Sequence, residues 1–292
     1  MEITKELVRR LVNTQFPHWK ELEIQPVARG GHDNRTFHLG NEMIVRLPSG
    51  PEYVAQVEKE AKWLPALQEK LSLPVPRPLA LGRPSEEYPF PWSVNRYIEG
   101  ETADEKNIAH MEEFAEELGL FLKELQGIGT EGAPEAGEHN FFRRASPAVY
   151  HKDVEKALRS PDRDWPVQLL KTVWAKATAS VWSDPPVWIH GDIAPGNLLV
   201  KEGRLCGVID FGIMGIGDPA CDYAMAWTFF EGNSRRRFLR GLDRGTICRA
   251  RRWALWKALI TCHDADERTA ENARRTLNNI LHEQESEMEE TK

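Results

Sequence analysis

The chain changes its hydrophobic pattern near Glu99, and this change constrains the fold more than any other feature of the sequence. Before Glu99, short apolar runs are broken by Gly and Pro, as in NRTFHLG, NEMIVRLPSG and LPVPRPLALG, which is typical of strands and turns. Gly40 and Asn41 are expected to form a hairpin turn, and one helix is expected from about Pro51 to Leu71. The first third of the chain is therefore predicted to be rich in β-structure.

Helical periodicity predominates after Glu99, apart from a short strand-rich insert between Val187 and Ile209. The predicted helices lie near residues 110–126, 166–182, 219–231, 234–243, 246–262 and 267–286. We therefore predict an α+β, bilobal chain, with a small β-rich lobe at residues 1–98 and a larger, mostly helical lobe at residues 99–292. The two lobes meet at the YIEG segment, and a ligand-binding cleft is expected between them.

Composition excludes several protein classes. With 41% hydrophobic and 28% charged residues, the chain can bury enough apolar surface to fold. Its longest apolar stretches, such as Tyr223 to Phe230, are much shorter than the roughly 20 residues that cross a bilayer, and the amino terminus lacks the apolar segment of an export signal. The four cysteines have no CxxC spacing. We expect a cytoplasmic protein with reduced cysteines and no membrane attachment.

The formal net charge of −7 disfavours a nucleic-acid partner, because phosphate binding requires a positive surface. Residues 99–138 alone carry 12 acidic and 2 basic side chains. Such a stretch would attract a polycationic ligand. A solvated helix face is the simpler interpretation of its four glutamates between residues 112 and 117.

Chemistry-bearing residues are concentrated in PPVWIHGDIAPGNLLVKEGRLCGVIDFG. Asp192 and Asn197 have the Asp-x-x-x-x-Asn spacing of the protein-kinase catalytic loop, and Asp210 begins an Asp-Phe-Gly motif like the kinase metal-binding motif. Each motif alone is weak evidence. Together, in this order and separated by one hairpin, they predict a kinase-type active site.

HGDIAPGN followed by VIDFG and GIGDPACDYA resembles the aminoglycoside phosphotransferase family, which has a protein-kinase-like fold. The resemblance extends upstream through GGHDNRTFHLG, VRLP, VPRPLALG and YIEGE, in the family's order, and so runs over nearly the whole chain. It implies an ATP-dependent small-molecule kinase that transfers the γ-phosphoryl group to a hydroxyl.

The resemblance also implies roles for individual residues. Asp192 is the expected catalytic base, and Asn197 and Asp210 supply oxygen ligands suited to Mg²⁺. His190 is expected to support the catalytic loop, and Asp222 to brace it. The alternative is that Asp192 and Asn197 only cap turns beside Pro and Gly.

Arg46 occupies the place where kinases carry the lysine that neutralises ATP phosphates. Strand alternation places Arg46 on the face opposite Val45, towards the cleft. Glu60 falls inside the apolar arc of the predicted helix, so it would be buried and would need a cationic partner. We predict that Arg46 and Glu60 pair at the nucleotide site, the alternative being that both are surface residues.

Gly30 and Gly31 lie between two predicted strands, and we predict that backbone N–H groups of this segment bind the nucleotide phosphates. The alternative is an ordinary hairpin turn. Neither GxGxxG nor GxxxxGK[ST] occurs, so the sequence supports neither a dinucleotide-binding Rossmann site nor a P-loop.

The acceptor hydroxyl is left open by the sequence. An aminoglycoside is one candidate, and a macrolide or another hydroxylated metabolite is the alternative. A nucleotide-binding pseudoenzyme is a further alternative, which the complete set of Asp192, Asn197 and Asp210 disfavours. The preference for ATP over GTP and the oligomeric state have no signature in the sequence.

Overall fold

The structure is a computed structural model that describes residues 2–27, 31, 33–135, 137, 140–143, 146–159, 165–178 and 180–289. Its α-helices are α1 Lys5–Gln15, α2 Val54–Gln68, α3 Met111–Gln126, α4 His151–Leu158, α5 Val167–Thr178, α6 Met225–Thr228, α7 Gly232–Phe238, α8 Arg244–Thr261 and α9 Glu267–Glu289. Its strands are β1 Ile24–Pro26, β2 Asn34–Leu39, β3 Met43–Pro48, β4 Pro78–Gly82, β5 Trp92–Arg96, β6 Glu101–Thr102, β7 Val187–Ile189, β8 Leu198–Lys201, β9 Arg204–Val208 and β10 Gly215–Gly217.

The amino-terminal part is built on an antiparallel sheet of five strands in the order β1-β2-β3-β5-β4. The expected hairpin joins β2 to β3, with Leu39 opposite Met43, and Gly40 provides the positive φ of 60° that the turn needs. Arg46 is opposite Thr36 on one side and Ser93 on the other. The sheet therefore holds Arg46 in its central strand.

Helix α1 was not predicted from the sequence. The Thr4 hydroxyl caps it by accepting a hydrogen bond of 3.3 Å from the Leu7 N–H. Leu7, Val8, Leu11 and Val12 form its buried face. They pack into a core with sheet residues such as Val45 and Trp92. The apolar pairs repeat four residues apart, which is a helical signal, although charged residues interrupt them.

A second and larger core lies among the helices that follow β6. Leu64 and Leu67 of α2 also belong to it, so α2 packs against the helical part rather than only against its own sheet. The smaller sheets β6-β8-β9 and β7-β10 carry the strand-rich insert. The predicted α+β, two-part architecture is confirmed, while the boundary between residues 98 and 99 stays a proposal.

The helical part differs from expectation in detail. Helix α4 was not expected, and the predicted helix at 219–231 is a 3₁₀ turn at Pro219–Tyr223 followed by the short α6. The Asp218 carboxylate accepts a hydrogen bond from the Ala220 N–H and so caps that turn. Helix α7 begins at Gly232, where φ is 49°. Within the described residues, no helix combines the length and the apolar character needed to cross a membrane.

Replacing Gly82 with Ala should lower the free energy of unfolding by about 1–3 kcal/mol, because overpacking strains a filled core. The added Cβ would lie 1.8 Å from Cε2 of Trp92, whose ring is fully buried. The loss is measured by urea titration of Gly82→Ala, with Gly31→Ala as the control. Nothing lies within 4 Å of a Cβ built on Gly31. Equal losses in the two variants would contradict the packing described here.

Candidate active site

The catalytic-loop motif begins where β7 ends, and Asp222 fixes its backbone. One Asp222 oxygen accepts a hydrogen bond of 2.8 Å from the His190 N–H, and the other accepts one of 2.7 Å from the Gly191 N–H. Gly191 has a φ of 89°, which favours glycine at this turn. Burial raises the pKa of Asp222, because the loss of hydration outweighs the stabilisation from His190 and the two N–H donors. The contact supports the bracing role implied by the resemblance.

His190 is completely buried and uses both ring nitrogens inside the protein. Its Nδ1 accepts a hydrogen bond of 3.2 Å from the Asp192 N–H, so the ring proton lies on Nε2, which donates to the Ile209 carbonyl at 2.9 Å. The ring also meets Phe211 edge to face, with centroids 4.5 Å apart. His190 therefore joins the catalytic loop to the Asp-Phe-Gly segment, in keeping with its expected supporting role.

Asp192 is exposed at the tip of this loop. The Asn197 side-chain N–H₂ donates to the Asp192 carbonyl at 2.9 Å and to its carboxylate at 3.1 Å. These two bonds close the loop and hold the carboxylate. The amide oxygen of Asn197 makes no hydrogen bond within the described part of the chain, so it is available to a ligand.

Arg46 connects three elements. Its Nη1 donates to both carboxylate oxygens of Glu60 on α2, at 3.1 and 2.9 Å, and its Nη2 donates to Asp210 Oδ1 at 2.9 Å. Burial alone lowers the pKa of Arg46, but the facing Glu60 and Asp210 carboxylates outweigh it and raise the pKa above its ordinary value. The expected contact between Arg46 and Glu60 is present, and Asp210 is an additional partner that the sequence did not reveal.

Asp210 and Asn197 lie close together, because the Ile209 N–H donates to the Asn197 carbonyl at 2.9 Å. Asp210 has a φ of 65°, in the left-handed region that Asp and Asn tolerate better than most residues. Its Oδ2 has no hydrogen bond to the described residues. One carboxylate and one amide oxygen form a hard donor set, which fits Mg²⁺ when phosphate and water complete the coordination.

The predicted phosphate loop receives less support. Gly30 lies outside the described residues. Gly31 is exposed, and its carbonyl accepts a hydrogen bond of 2.9 Å from Arg35. Asp33 in the same segment accepts a hydrogen bond of 3.2 Å from Gln56 of α2. The segment is thus attached to the helix that carries Glu60, while phosphate binding by its backbone stays a prediction.

A cavity of about 920 Å³ opens beside Asp192. The catalytic loop from Gly191 to Gly196 forms part of its lining, and other parts come from residues 102–106, from α8 and from α9. Five cationic side chains contribute to the lining: Lys106, Arg143, Lys257, Arg268 and Arg275. Sequence reasoning missed all five, because they come from separate elements and share no spacing.

The acidic stretch mostly faces away from this cavity. Glu116 of α3 accepts hydrogen bonds from Arg237 at 3.0 Å and from Arg240 at 2.7 Å, and Glu117 pairs with Arg204. Among the described residues of this stretch, those that line the cavity are at positions 102–106, which include Asp104 and Glu105. The interpretation of the α3 glutamates as an outer helix face agrees with these contacts.

Known proteins with similar sequences are phosphotransferases, which agrees with the kinase-type site geometry described above. A family model described as the phosphotransferase enzyme family matches residues 23–259. Aminoglycoside 3′-phosphotransferases of Escherichia coli and Salmonella typhimurium are each 30% identical over 142 residues, which are 47% of this chain and 51% of theirs. The chain thus spans about half the length of the curated relatives it matches.

Solved structures match over almost the entire chain. An aminoglycoside 2′-phosphotransferase in complex with GDP has a TM-score of 0.72 at 18% identity, covering 96% of this chain and 99% of that one. A macrolide 2′-phosphotransferase from Brachybacterium faecium has a TM-score of 0.60 at 18% identity, covering 94% and 98%. At such identities the likeness shows the fold, and it confirms the predicted kinase-like architecture.

Replacing Glu60 with Ala should lower the free energy of unfolding by roughly 3 kcal/mol, because the buried Arg46 guanidinium loses its bidentate partner. The matched control is Glu87→Ala, which breaks the Arg10–Glu87 pair of 2.6 Å between two half-exposed side chains. That loss should be below about 1 kcal/mol. Chemical denaturation of both variants checks the difference, and equal losses would show that the Arg46 contacts contribute no more than a surface pair.

Replacing Asp222 with Asn should cost about 1–3 kcal/mol near neutral pH, since one amide N–H of the loop then faces an N–H₂ group. Hydrogen exchange at the His190 and Gly191 amides should accelerate, and unchanged exchange at both would contradict the bracing contact. Because the pKa of Asp222 is raised in the folded state, its ionisation costs stability as the pH rises from the ordinary carboxyl pKa through the folded value. That contribution to the pH dependence should disappear in the variant.

Proposed function

The chain belongs to the phosphotransferase enzyme family, and from this premise we propose that it is a kinase that transfers the γ-phosphoryl group of ATP to a hydroxyl of a small molecule. The observation that carries the proposal is the position of Asp192. Its carboxylate is exposed on the lining of a large cavity and accepts a hydrogen bond from Asn197. Asp210 follows Ile209, whose N–H contacts the Asn197 carbonyl. An acceptor in the cavity would have its hydroxyl beside a base, with the phosphate-binding groups on the other side.

The proposed nucleotide site lies between the sheet and the catalytic loop. Arg46 would neutralise phosphate charge from β3, with Glu60 holding its guanidinium in place. Gly30 and Gly31 are proposed to approach the phosphates through their backbone. In this arrangement residues 1–98 bind mainly the nucleotide, and residues 99–292 supply the catalytic loop and the acceptor cavity.

Phosphoryl transfer is mainly a problem of alignment and charge. The acceptor oxygen forms a bond to the γ-phosphorus as the bond to the β,γ-bridging oxygen breaks, ADP leaves, and the hydroxyl proton passes to the Asp192 carboxylate. Asn197 orients that carboxylate through the contact of 3.1 Å. Asn197 and Asp210 would hold Mg²⁺, which when bound neutralises charge on the phosphates.

Arg46 differs from the lysine usual in kinases in a way that bears on this site. A guanidinium can contact Glu60 and Asp210 at once, whereas an ammonium is a single point of charge. In this structure its donors face both carboxylates. On nucleotide binding we expect Nη2 to be shared between Asp210 and phosphate, while Nη1 stays on Glu60.

Asp192→Asn should lower kcat by about 10²- to 10⁴-fold, because the general base is lost while MgATP binding is retained. ADP release should be measured with MgATP across aminoglycosides, macrolides and small hydroxylated metabolites. The control is Asp184→Asn, which changes an exposed aspartate before β7.

An acceptor-dependent release that survives in Asp192→Asn would refute the assignment of the base. A protein that binds MgATP tightly but releases no ADP with any acceptor would instead support the pseudoenzyme alternative.

A further inference from the structure

Two cationic side chains of the acceptor cavity lie outside its ion pairs. Lys257 extends from α8, and Arg143 lies in the turn before α4. Neither side chain forms a salt bridge with any described residue. The buried Arg143 Nε also has no hydrogen-bond partner. Because this nitrogen is closed off from solvent, a ligand in the cavity would have to contact the guanidinium through its other N–H groups.

Two other cationic side chains of the cavity are already paired with carboxylates, and a third, Lys106, is exposed to solvent. Arg268 contacts Asp104 at 2.5 Å, and Arg275 contacts Glu105 at 2.9 Å. These pairs use the two acids of the 102–106 segment, which therefore offer little attraction to a cationic ligand. Lys257 and Arg143 differ from this pair of arginines, because neither forms a salt bridge with a described carboxylate and both can therefore bind an anionic ligand.

The two cations influence each other. Burial lowers the pKa of Lys257, and the nearby Arg143 lowers it further, while Asp192 and Asp264 act in the opposite direction without cancelling the effect. Burial is the largest cause of the lowered pKa, so Lys257 lies in a partly dehydrated position with a like charge nearby. A ligand carrying negative charge would relieve both the repulsion and the incomplete solvation.

Aromatic rings lie beside Arg143 at the part of the cavity that Arg143 and Lys257 line, which we call the cationic corner. Arg143 lies over the Trp256 ring at 4.7 Å and over the Trp253 ring at 5.7 Å from the centroids. Trp253, Lys257 and Thr261 are spaced by four residues, so they share the face of α8 that lines the cavity. These cation–π contacts help to hold the guanidinium beside the cavity.

The location of these cations separates them from the proposed nucleotide site. None of Arg46, Asn197 and Asp210 lines the cavity, whereas Asp192 does. The nucleotide phosphates are therefore expected on one side of Asp192, with Lys257 and Arg143 on the other. A second anionic group, belonging to the acceptor, accounts for the two cations better than the nucleotide does.

We infer that the acceptor carries an anionic group, a carboxylate or phosphate, which Arg143 and Lys257 bind while its hydroxyl faces Asp192. This inference rests on the proposed phosphotransferase function and narrows its substrate class to hydroxylated acids. An ammonium group of the acceptor would be repelled at the cationic corner by Arg143 and Lys257. Asp266 and Glu271 also line the cavity, so the inference concerns the cationic corner alone.

The test uses hydroxy acids, each paired with its own carboxamide, so that shape is kept and only charge is lost. The probes are 4-(hydroxymethyl)benzoate, glycerate and pantothenate with their amides. Binding is measured by calorimetry in the presence of ADP, and turnover by ADP release from MgATP. At least one acid should bind about 10- to 100-fold more tightly than its amide, as expected for a charge-assisted hydrogen bond. Glycerate 3-phosphate in the same assay distinguishes a phosphate from a carboxylate preference.

Lys257→Gln should abolish most of this preference by weakening acid binding, and Lys257→Arg should restore it. Arg143→Gln should act in the same direction. The matched control is Arg244→Gln, which removes an exposed cation from the same helix outside the cavity and should leave the preference unchanged.

Equal affinity for acids and amides, or binding of neither member of any pair, would overturn the inference. It would also be overturned if Lys257→Gln lowered kcat equally for acids and amides with no change in their relative affinity, since the cation would then act on the transferred group. Failure of the proposed function looks different: acids would still bind in preference to amides, but no acceptor would stimulate ADP release.

Discussion

The contact of Arg46 with two carboxylates is the interaction on which the proposed site depends most. It joins the central strand of the sheet, α2 and the Asp-Phe-Gly segment through three hydrogen bonds of 2.9 to 3.1 Å. A guanidinium this deeply buried would be strongly destabilising without partners, so the position of β3 relative to Asp210 is tightly constrained. A planar guanidinium presents separate nitrogens to the two acids, whereas a lysine ammonium would have to direct donors to both from one nitrogen.

A second set of contacts makes the catalytic loop rigid without using the residue that performs the proposed chemistry. Asp222 holds two successive backbone N–H groups, and His190 connects the loop to Ile209 through its two ring nitrogens. These groups are buried, whereas Asp192 is exposed. The arrangement concentrates the cost of burying polar groups behind the loop and leaves the reactive carboxylate free to meet a ligand.

The parts of this structure that the sequence predicts are those encoded by local spacing. Strand alternation placed Arg46, helical periodicity placed Glu60, and the five-residue separation of Asp192 and Asn197 identified the loop. Helix α1 was missed because charged residues interrupt its apolar pairs, and the contact between Arg46 and Asp210 spans 164 positions without any periodic signal. Arg143 and Lys257 were missed for the same reason: tertiary packing alone brings their two segments together.

The lining of the cavity has two parts that differ in how much substitution they can tolerate. Part of its lining is the catalytic loop, whose geometry is tied to Asp222, His190 and Asn197, so most substitutions there would disturb the chemistry. Its walls come from residues 102–106, α8 and α9, and ion pairs such as Arg268–Asp104 join neighbouring walls across the surface. Substituting both members of such a pair would change the shape and charge of the cavity and leave the loop contacts intact. In the proposed enzyme, the choice of acceptor would therefore depend on the outer helices, while the reaction would depend on the loop.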